Sequence, residues 1–293
     1  MPRVCFIVNP VAGHGRALAE WKRIEPLAAQ LGEYCVKFTK GPGHATELAR
    51  EAVREGYDRV ASMGGDGTLN EVGNGLVGSG AALAVIPAGT GNDWVRTAGV
   101  PRDSAEGCRL AFQGRVAKMD VGLAHGHRYF FNGAGFGFDA EVCARVNSYG
   151  PRFRKLSYVR GVFDALNHFT GVPVDVEIDG QTLHLPRVLL LEVGNGRYFG
   201  GGMQIFPGAD FSDGRFEIAW GENLSRLELL RLVSLIYSGK HVGYPKVRMM
   251  QGRKVSASSP ERVVFQVDGD VIGRLPVTFE LIPQALDVVL PIS

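Results

Sequence analysis

The chain reads as a parallel α/β domain followed by an antiparallel sheet or sandwich, on three observations. Short apolar runs alternate with helical patterns through the first third. After Asp120 the pattern changes to strand-like segments separated by turns. Glycines gather just after the apolar runs rather than being spread evenly. Strand–helix alternation with short connections implies a parallel sheet covered on both faces. Short strands separated by turns imply antiparallel pairing.

Val4–Val8 is the first strand. Arg16–Leu31 is a helix, with Leu18, Trp21, Ile24 and Leu27 at helical spacing. Tyr34–Phe38 is a second strand, residues 45–55 a second helix that Gly56 ends, and residues 59–63 a third strand. A glycine turn and a helix over 69–77 follow, then a strand over 82–86, a second glycine turn and another helix. Downstream, residues 128–133, 174–178, 187–193, 215–220, 262–267 and 277–281 read as strands, and 140–147, 155–169 and 227–238 as helices. Leucines at 227, 229, 230, 232 and 235 suit a helix packed on the core. The boundary falls near Leu123, giving domains 1–123 and 124–281. A last strand, residues 286–290, rejoins the first domain, so that about 282–293 belongs with it.

The 293 residues suffice to bury a core without staples. A net charge of +2 provides no whole-molecule attraction to nucleic acid. The four cysteines, Cys5, Cys35, Cys108 and Cys143, show no C-x-x-C spacing and read as small buried hydrophobes. The seven histidines form no metal-binding pair. There is no signal-peptide core and no apolar run near the roughly 18 residues of a membrane span, so a soluble cytoplasmic protein is expected. The 40 glycines are roughly twice ordinary usage, and they cluster where backbone must turn sharply or approach a ligand.

The chemistry concentrates in Gly64-Gly65-Asp66-Gly67-Thr68-Leu69-Asn70-Glu71, where a strand runs through glycines into a helix. Backbone N–H groups at such a turn, with the positive end of the helix dipole, suit phosphate. Thr68 and Glu71 have capping-box spacing. Asp66 would repel phosphate unless a cation lies between, so it implies either a metal-dependent triphosphate or a hydroxyl substrate that the carboxylate orients. The next strand repeats the arrangement in Pro87-Ala88-Gly89-Thr90-Gly91-Asn92-Asp93, where Asp93 opens a helix or only caps it. The first strand leads into Asn9-Pro10-Val11-Ala12-Gly13. Neither a P-loop nor a dinucleotide-binding fingerprint is present.

These segments, with Asp120-Val121-Gly122, Asn132 to Gly137, the stretch 200–213 and Val267-Asp268-Gly269-Asp270, resemble the diacylglycerol kinase catalytic-domain family across essentially the whole chain. That family includes bacterial diacylglycerol kinase B and YegS-type lipid kinases, and is related to sphingosine and ceramide kinases. The resemblance implies an NAD kinase-like α/β domain and a β-sandwich with the active site in the cleft between them. It also implies ATP- and Mg²⁺-dependent transfer of the γ-phosphoryl group to a lipid hydroxyl such as diacylglycerol. It maps ATP contacts to Asn9, Pro10, Val11, Ala12, Gly13, Thr39, Gly64, Gly65, Asp66, Gly67, Thr68, Leu69, Asn70 and Thr90. A polar network around Mg²⁺ and phosphates would comprise Asp66, Asp93, Arg96 and Asp120. Asp270 stands where the family has a glutamate base, one methylene shorter, so Asp268 is the other candidate. A structural Mg²⁺ loop would use the Asp213 side chain and the carbonyls of Asp210 and Arg215.

Residues 142–163 contain no acidic side chain and carry Arg145, Arg152, Arg154, Lys155 and Arg160 among apolar residues, a composition able to meet anionic headgroups. A lipid presented by a membrane surface, with peripheral contact, is the expected partner. An exposed sheet edge would let two copies pair. An NAD kinase-like or other soluble-metabolite kinase, and a catalytically weak nucleotide- or lipid-binding protein, stay open as alternatives.

Overall fold

The structure, a computed structural model, describes residues 1–148 and 171–292. Parallel strands β1 (Val4–Val8), β2 (Tyr34–Phe38), β3 (Arg59–Gly64) and β4 (Ala82–Pro87) lie in the order β2-β1-β3-β4. Helices α1 (Arg16–Leu31), α2 (His44–Arg54), α3 (Asp66–Leu76), α4 (Asp93–Ala98) and α5 (Ser104–Gln113) connect and cover them. The alternation of side chains along β1 explains the two cores. Cys5 and Ile7 face α2 and α3, packing with Leu48, Leu69 and Val72. Val4, Phe6 and Val8 face the opposite side, packing with Trp21, Ile24 and Phe112 of α1 and α5. The Trp21 ring lies tilted against Phe6 at 4.9 Å between ring centroids, and its truncation to alanine would cost about 3–5 kcal/mol.

The second half is antiparallel. It contains β5 (Arg115–Ala124), β6 (Arg128–Phe130), β7 (Gly133–Gly137), α6 (Phe138–Ser148), β8 (Val172–Ile178), β9 (Gln181–Gly194), β10 (Phe216–Glu222) and α7 (Arg226–Ile236). A 3-10 turn (Lys240–Gly243) precedes β11 (Val247–Gly252), β12 (Lys254–Ser258), β13 (Val264–Val267), β14 (Asp270–Arg274) and β15 (Val277–Leu290). Phe130, Phe136, Phe216, Phe265 and Phe279 form the centre of the sandwich core.

The two halves share one sheet, ordered β14-β13-β7-β9-β8-β12-β15-β4-β3-β1-β2. β15 joins them. Its first half pairs with β12, its second half runs parallel to β4, and β5 lies antiparallel along both. The strands expected over 277–281 and 286–290 are thus one strand with a bulge. Gln284 takes φ 51° there and donates its N–H to Asp120, so the chain bends without leaving β5.

Other elements differ from the sequence reading for local reasons. The strand expected over 128–133 breaks into β6 and β7, because the N–H groups of Phe131, Asn132 and Gly133 turn to the Asp268 carboxylate. α5 is an additional helix, started by Asp103, whose carboxylate accepts from the N–H groups of Ala105 and Glu106 at 2.9 and 3.0 Å. α7 begins on a Ser225–Glu228 capping box and buries Leu229 and Leu232, but Leu227 and Leu230 face outward. The helix expected over 155–169 and the basic residues Arg152, Arg154, Lys155 and Arg160 lie outside the described residues, as does the side chain of Arg145. Among the described residues no helix is long and apolar enough to cross a membrane.

Candidate functional site

Three connections leave the carboxyl ends of β1, β3 and β4 side by side. Asn9, at the end of β1, donates its side-chain amide to Thr68 Oγ1 at 3.0 Å, which ties the Asn9–Gly13 segment to the first turn of α3. Ala88 and Gly89 donate their N–H groups to the Gly64 carbonyl at 2.8 and 3.0 Å, so the second glycine turn rests on the first. A Cβ on Gly89 would run into the Gly65 Cα, so glycine at position 89 is what lets the two backbones touch.

α3 starts at Asp66, three residues earlier than the sequence pattern indicates. Gly65 is its N-cap and supplies no side chain, so Thr68 is not the cap and no capping box forms with Glu71. Thr68 instead lies within the first helical turn and accepts from Asn9, while Glu71 accepts from the Ala45 N–H at 3.1 Å and secures the start of α2. The N–H groups of Asp66, Gly67 and Thr68 precede the first intrahelical bond, from Leu69 N–H to Gly65 O. Open space adjoins Gly67 on its side-chain face. Such a helix start suits an anion.

Asp66 joins the two turns. Its Oδ2 accepts from Asn92 N–H at 2.7 Å and its Oδ1 from Asp93 N–H at 2.9 Å, which fixes the start of α4 against the start of α3. Asp93 carries the linkage onward. Its Oδ1 accepts from the Arg96 guanidinium at 3.0 Å, and its Oδ2 from Gly201 N–H at 2.7 Å, in the loop before β10. Arg96 also donates to the Gly91 carbonyl. Burial holds the Asp93 carboxyl above its usual range. The neighbouring Asp66 adds to this, while the Gly201 and Gly202 N–H groups and Arg96 oppose it.

The structure therefore brings together Asp66, Asp93 and Arg96 but gives Asp120 different partners. Asp120 is buried on β5, and its carboxylate accepts from Gly214 N–H at 2.7 Å and Gln284 N–H at 2.8 Å. It thereby holds the 210–215 loop against the bulge of β15. In that loop Asp210 Oδ1 accepts from the N–H and hydroxyl of Ser212, and Asp213 Oδ1 accepts from Arg215 N–H. Of the other residues read from the sequence, Thr39 continues β2 by donating its N–H to the Val8 carbonyl. Thr90 and Val11 are exposed, and Pro10 and Ala12 partly so. Gly13 takes φ 60° against Ala88, and the Leu69 side chain is in the core, leaving only its backbone on the site.

The Asp268-Gly269 turn closes the site from the sandwich side. Both residues have positive φ, 46° and 91°, as a two-residue β13–β14 hairpin requires. The Asp268 carboxylate accepts four hydrogen bonds, from the N–H groups of Phe131, Asn132 and Gly133 and from the Asn70 amide at 2.7 Å. Burial raises its pKa against those donors. A carboxylate so fully engaged is suited to holding the hairpin rather than to taking a proton. Asp270, two residues on, is exposed at the start of β14 and lies 3.5 Å from the Arg128 guanidinium.

Sequence reasoning missed a buried acidic pair beside this hairpin. Burial raises both the Asp139 and the Glu192 carboxyls, and Asp139 raises Glu192 further, whereas Glu192 opposes the rise at Asp139; Gln266 donates to Glu192 at 3.3 Å. Glu192 is legible in hindsight as a charge inside the run Leu189-Leu190-Leu191-Glu192-Val193. Asn195 was also missed. It donates to the carbonyls of Asp120 and Phe131, and nothing in its sequence neighbourhood marks it.

Residues 3–124 match the diacylglycerol kinase catalytic domain, and residues 133–290 match the YegS C-terminal NAD kinase beta sandwich-like domain. The chain is 31% identical over 295 residues to a diacylglycerol kinase of Mycobacterium tuberculosis (strain ATCC 25618 / H37Rv), covering 99% of this chain and 95% of the relative. It is 29% identical to a diacylglycerol kinase of Bacillus subtilis (strain 168), covering 99% and 97%. Two crystal structures from Bacillus anthracis str. Sterne superpose with TM-scores of 0.84 and 0.75, at 27% and 26% identity. They cover 99% of this chain and 95% and 97% of those chains, and the second is of a diacylglycerol kinase. With both domains matched in order and the glycine turns brought together at the strand ends, the chain belongs to the diacylglycerol kinase family of lipid kinases, enzymes that transfer a phosphoryl group to an alcohol.

Proposed function

We propose that this protein transfers the γ-phosphoryl group of Mg·ATP to the hydroxyl of diacylglycerol at a membrane surface. The observation that carries this is the bridge Asp66 makes between two glycine turns, which fixes the start of α3 at the ends of adjacent parallel strands. Phosphoryl transfer asks mainly for positioning and for stabilisation of charge on the phosphate oxygens.

In this reading the N–H groups of Gly65 to Thr68 and the Asn9 segment hold the nucleotide phosphates, and Thr39 and Thr90 border them. The ion travels with the nucleotide as Mg·ATP. Asp66 and Asp93 are the carboxylates that would hold it, their oxygens keeping lone pairs beyond those used by N–H groups, and Arg96 balances their charge. The substrate hydroxyl oxygen attacks the γ-phosphorus, the bond from that phosphorus to the β,γ-bridging oxygen breaks, and ADP leaves. Asp270 takes the hydroxyl proton, and Asp268 holds the hairpin that presents it.

The 210–215 loop offers oxygen donors only, as Mg²⁺ prefers. Among the described residues no cluster of three His, Cys, Asp or Glu side chains could hold a metal, so an ion at this loop would take the Asp213 carboxylate, the carbonyls of Asp210 and Arg215, and water. Outward-facing Leu227, Leu230 and Tyr237 support peripheral contact with a bilayer, and edge strands such as β2 and β14 offer places where two copies could pair.

The test is transfer of label from γ-labelled ATP to a panel of diacylglycerol, phosphatidylglycerol, a sphingoid base and NAD, with and without Mg²⁺. Labelled phosphatidic acid that forms only with Mg²⁺ is the expected result. Labelled NADP, or label in another lipid alone, would overturn the assignment.

A further inference from the structure

Cys5 on β1 and Cys35 on β2 occupy directly paired positions of neighbouring parallel strands. Their sulfurs lie 2.8 Å apart. In-register neighbours on adjacent strands are about 4.8 Å apart at Cα, within the roughly 4.4–6.8 Å that a disulfide spans. A bond of about 2.05 Å would shorten the separation of the sulfurs by less than about 1 Å. Cys5 is fully buried, and Cys35 is half-buried on the strand that ends the sheet.

We infer that Cys5 and Cys35 form a peroxide-reactive dithiol that closes reversibly to an intramolecular disulfide. The surroundings divide the roles. Cys35 is held below the ordinary thiol range, first by its hydrogen bond with Cys5, then by the Tyr57 hydroxyl and the Lys37 ammonium, against burial. Lys37 is itself held by Glu51 at 3.2 Å and Glu55 at 2.8 Å, and the Arg3 guanidinium lies 4.7 Å from the Tyr57 ring centre. Cys5 is pushed upward by the same hydrogen bond and by burial. Cys35, the more accessible of the two, is thus the attacking thiolate, and the fully buried Cys5 is the resolving thiol. Cys108 and Cys143 provide internal controls, since burial pushes them up to about 11 and about 12.

The chemistry balances with a peroxide as oxidant. The Cys35 thiolate attacks one oxygen of hydrogen peroxide, the O–O bond breaks, and hydroxide leaves with Cys35 as a sulfenic acid. Cys5 then attacks the Cys35 sulfur, the S–O bond breaks, and water leaves with the Cys5 proton. Two thiols lose two electrons, and one peroxide becomes two waters, the hydroxide of the first step taking up the proton that Cys35 had lost.

The experiment treats the intact protein with a small excess of hydrogen peroxide, alkylates the remaining thiols in denaturant and maps the peptides by mass spectrometry. The expected result is one cross-linked Cys5–Cys35 peptide pair, reversed by dithiothreitol, with Cys108 and Cys143 fully alkylated. The pair should react about tenfold or more faster than either control cysteine. Cys5→Ser should leave a Cys35 sulfenic acid that dimedone traps, and Cys35→Ser should leave Cys5 reduced. Full alkylation of both residues under peroxide that oxidises free cysteine would overturn the proposal, as would a different cross-link. The wild-type map decides the question whether or not the serine variants fold.

Discussion

Asn70 and Asp268 are 198 positions apart in the chain, and their side chains meet at 2.7 Å. Asn70 belongs to the helix that follows the first glycine turn, and Asp268 to the hairpin turn before Asp270. Asn70 also donates to the Tyr129 carbonyl at 3.2 Å, so one amide spans the α/β half, β6 and the hairpin. The helix proposed to face the phosphates and the proposed base are thereby held in a fixed relation.

Replacing Asp268 by alanine strands four donors at once. Each buried group left without a partner costs about 1–3 kcal/mol, so a loss of roughly 2–4 kcal/mol is expected after partial relaxation. Asn70→Ala should cost less, about 1–2 kcal/mol, yet lower turnover more than it lowers nucleotide affinity. Urea unfolding beside steady-state kinetics checks both; Asn70→Ala with wild-type turnover would remove the geometric link from the mechanism.

Asp66→Ala releases the Asn92 and Asp93 N–H groups and lets the second glycine turn drift from the first. Transfer efficiency should fall about 10²–10³-fold, the scale seen when one well-placed electrostatic group is lost. Titration of kcat/KM against Mg²⁺ is the measurement, and an unchanged Mg²⁺ response would count against the site.

Asp270→Asn should reduce kcat about 10²–10⁴-fold and leave ATP binding intact, since the base acts on the acceptor hydroxyl. Asp270→Glu, one methylene longer, should retain part of the activity. Equilibrium nucleotide binding and single-turnover transfer separate the two effects, and an Asp270→Asn enzyme with normal kcat would assign the proton elsewhere.

The Asp139–Glu192 pair makes stability depend on pH. Both carboxyls are raised, chiefly by burial, so the folded protein binds more protons than the unfolded chain above the ordinary carboxyl range. Stability contributed by this pair is present at and below that range and is lost as pH rises through the raised values. Glu192→Gln should flatten the decline and raise stability at pH 8 by on the order of 1 kcal/mol. Urea midpoints between pH 4 and pH 9 read this directly; parallel curves for variant and wild type would exclude the pair as the source.

Alternation of strands and helices, two glycine turns each with an aspartate, and the change to strand segments after Asp120 are all local patterns, and they determined the two-part architecture and the position of the two glycine turns at the strand ends. Apolar period and glycine placement act over a few residues, so they survive in one dimension. What Asp66, Thr68, Asp120 and Asp268 bind was decided only by the tertiary structure, because each carboxylate or hydroxyl meets a backbone or side-chain group from a distant segment. Thr68 has the spacing of a cap and is not one, because Asn9 reaches it and the helix starts at Asp66. Cys5 and Cys35 look isolated along the chain, and the register of β1 on β2 places their sulfurs together. Contact between residues far apart in sequence is set by strand order and register, which no local run of residues encodes.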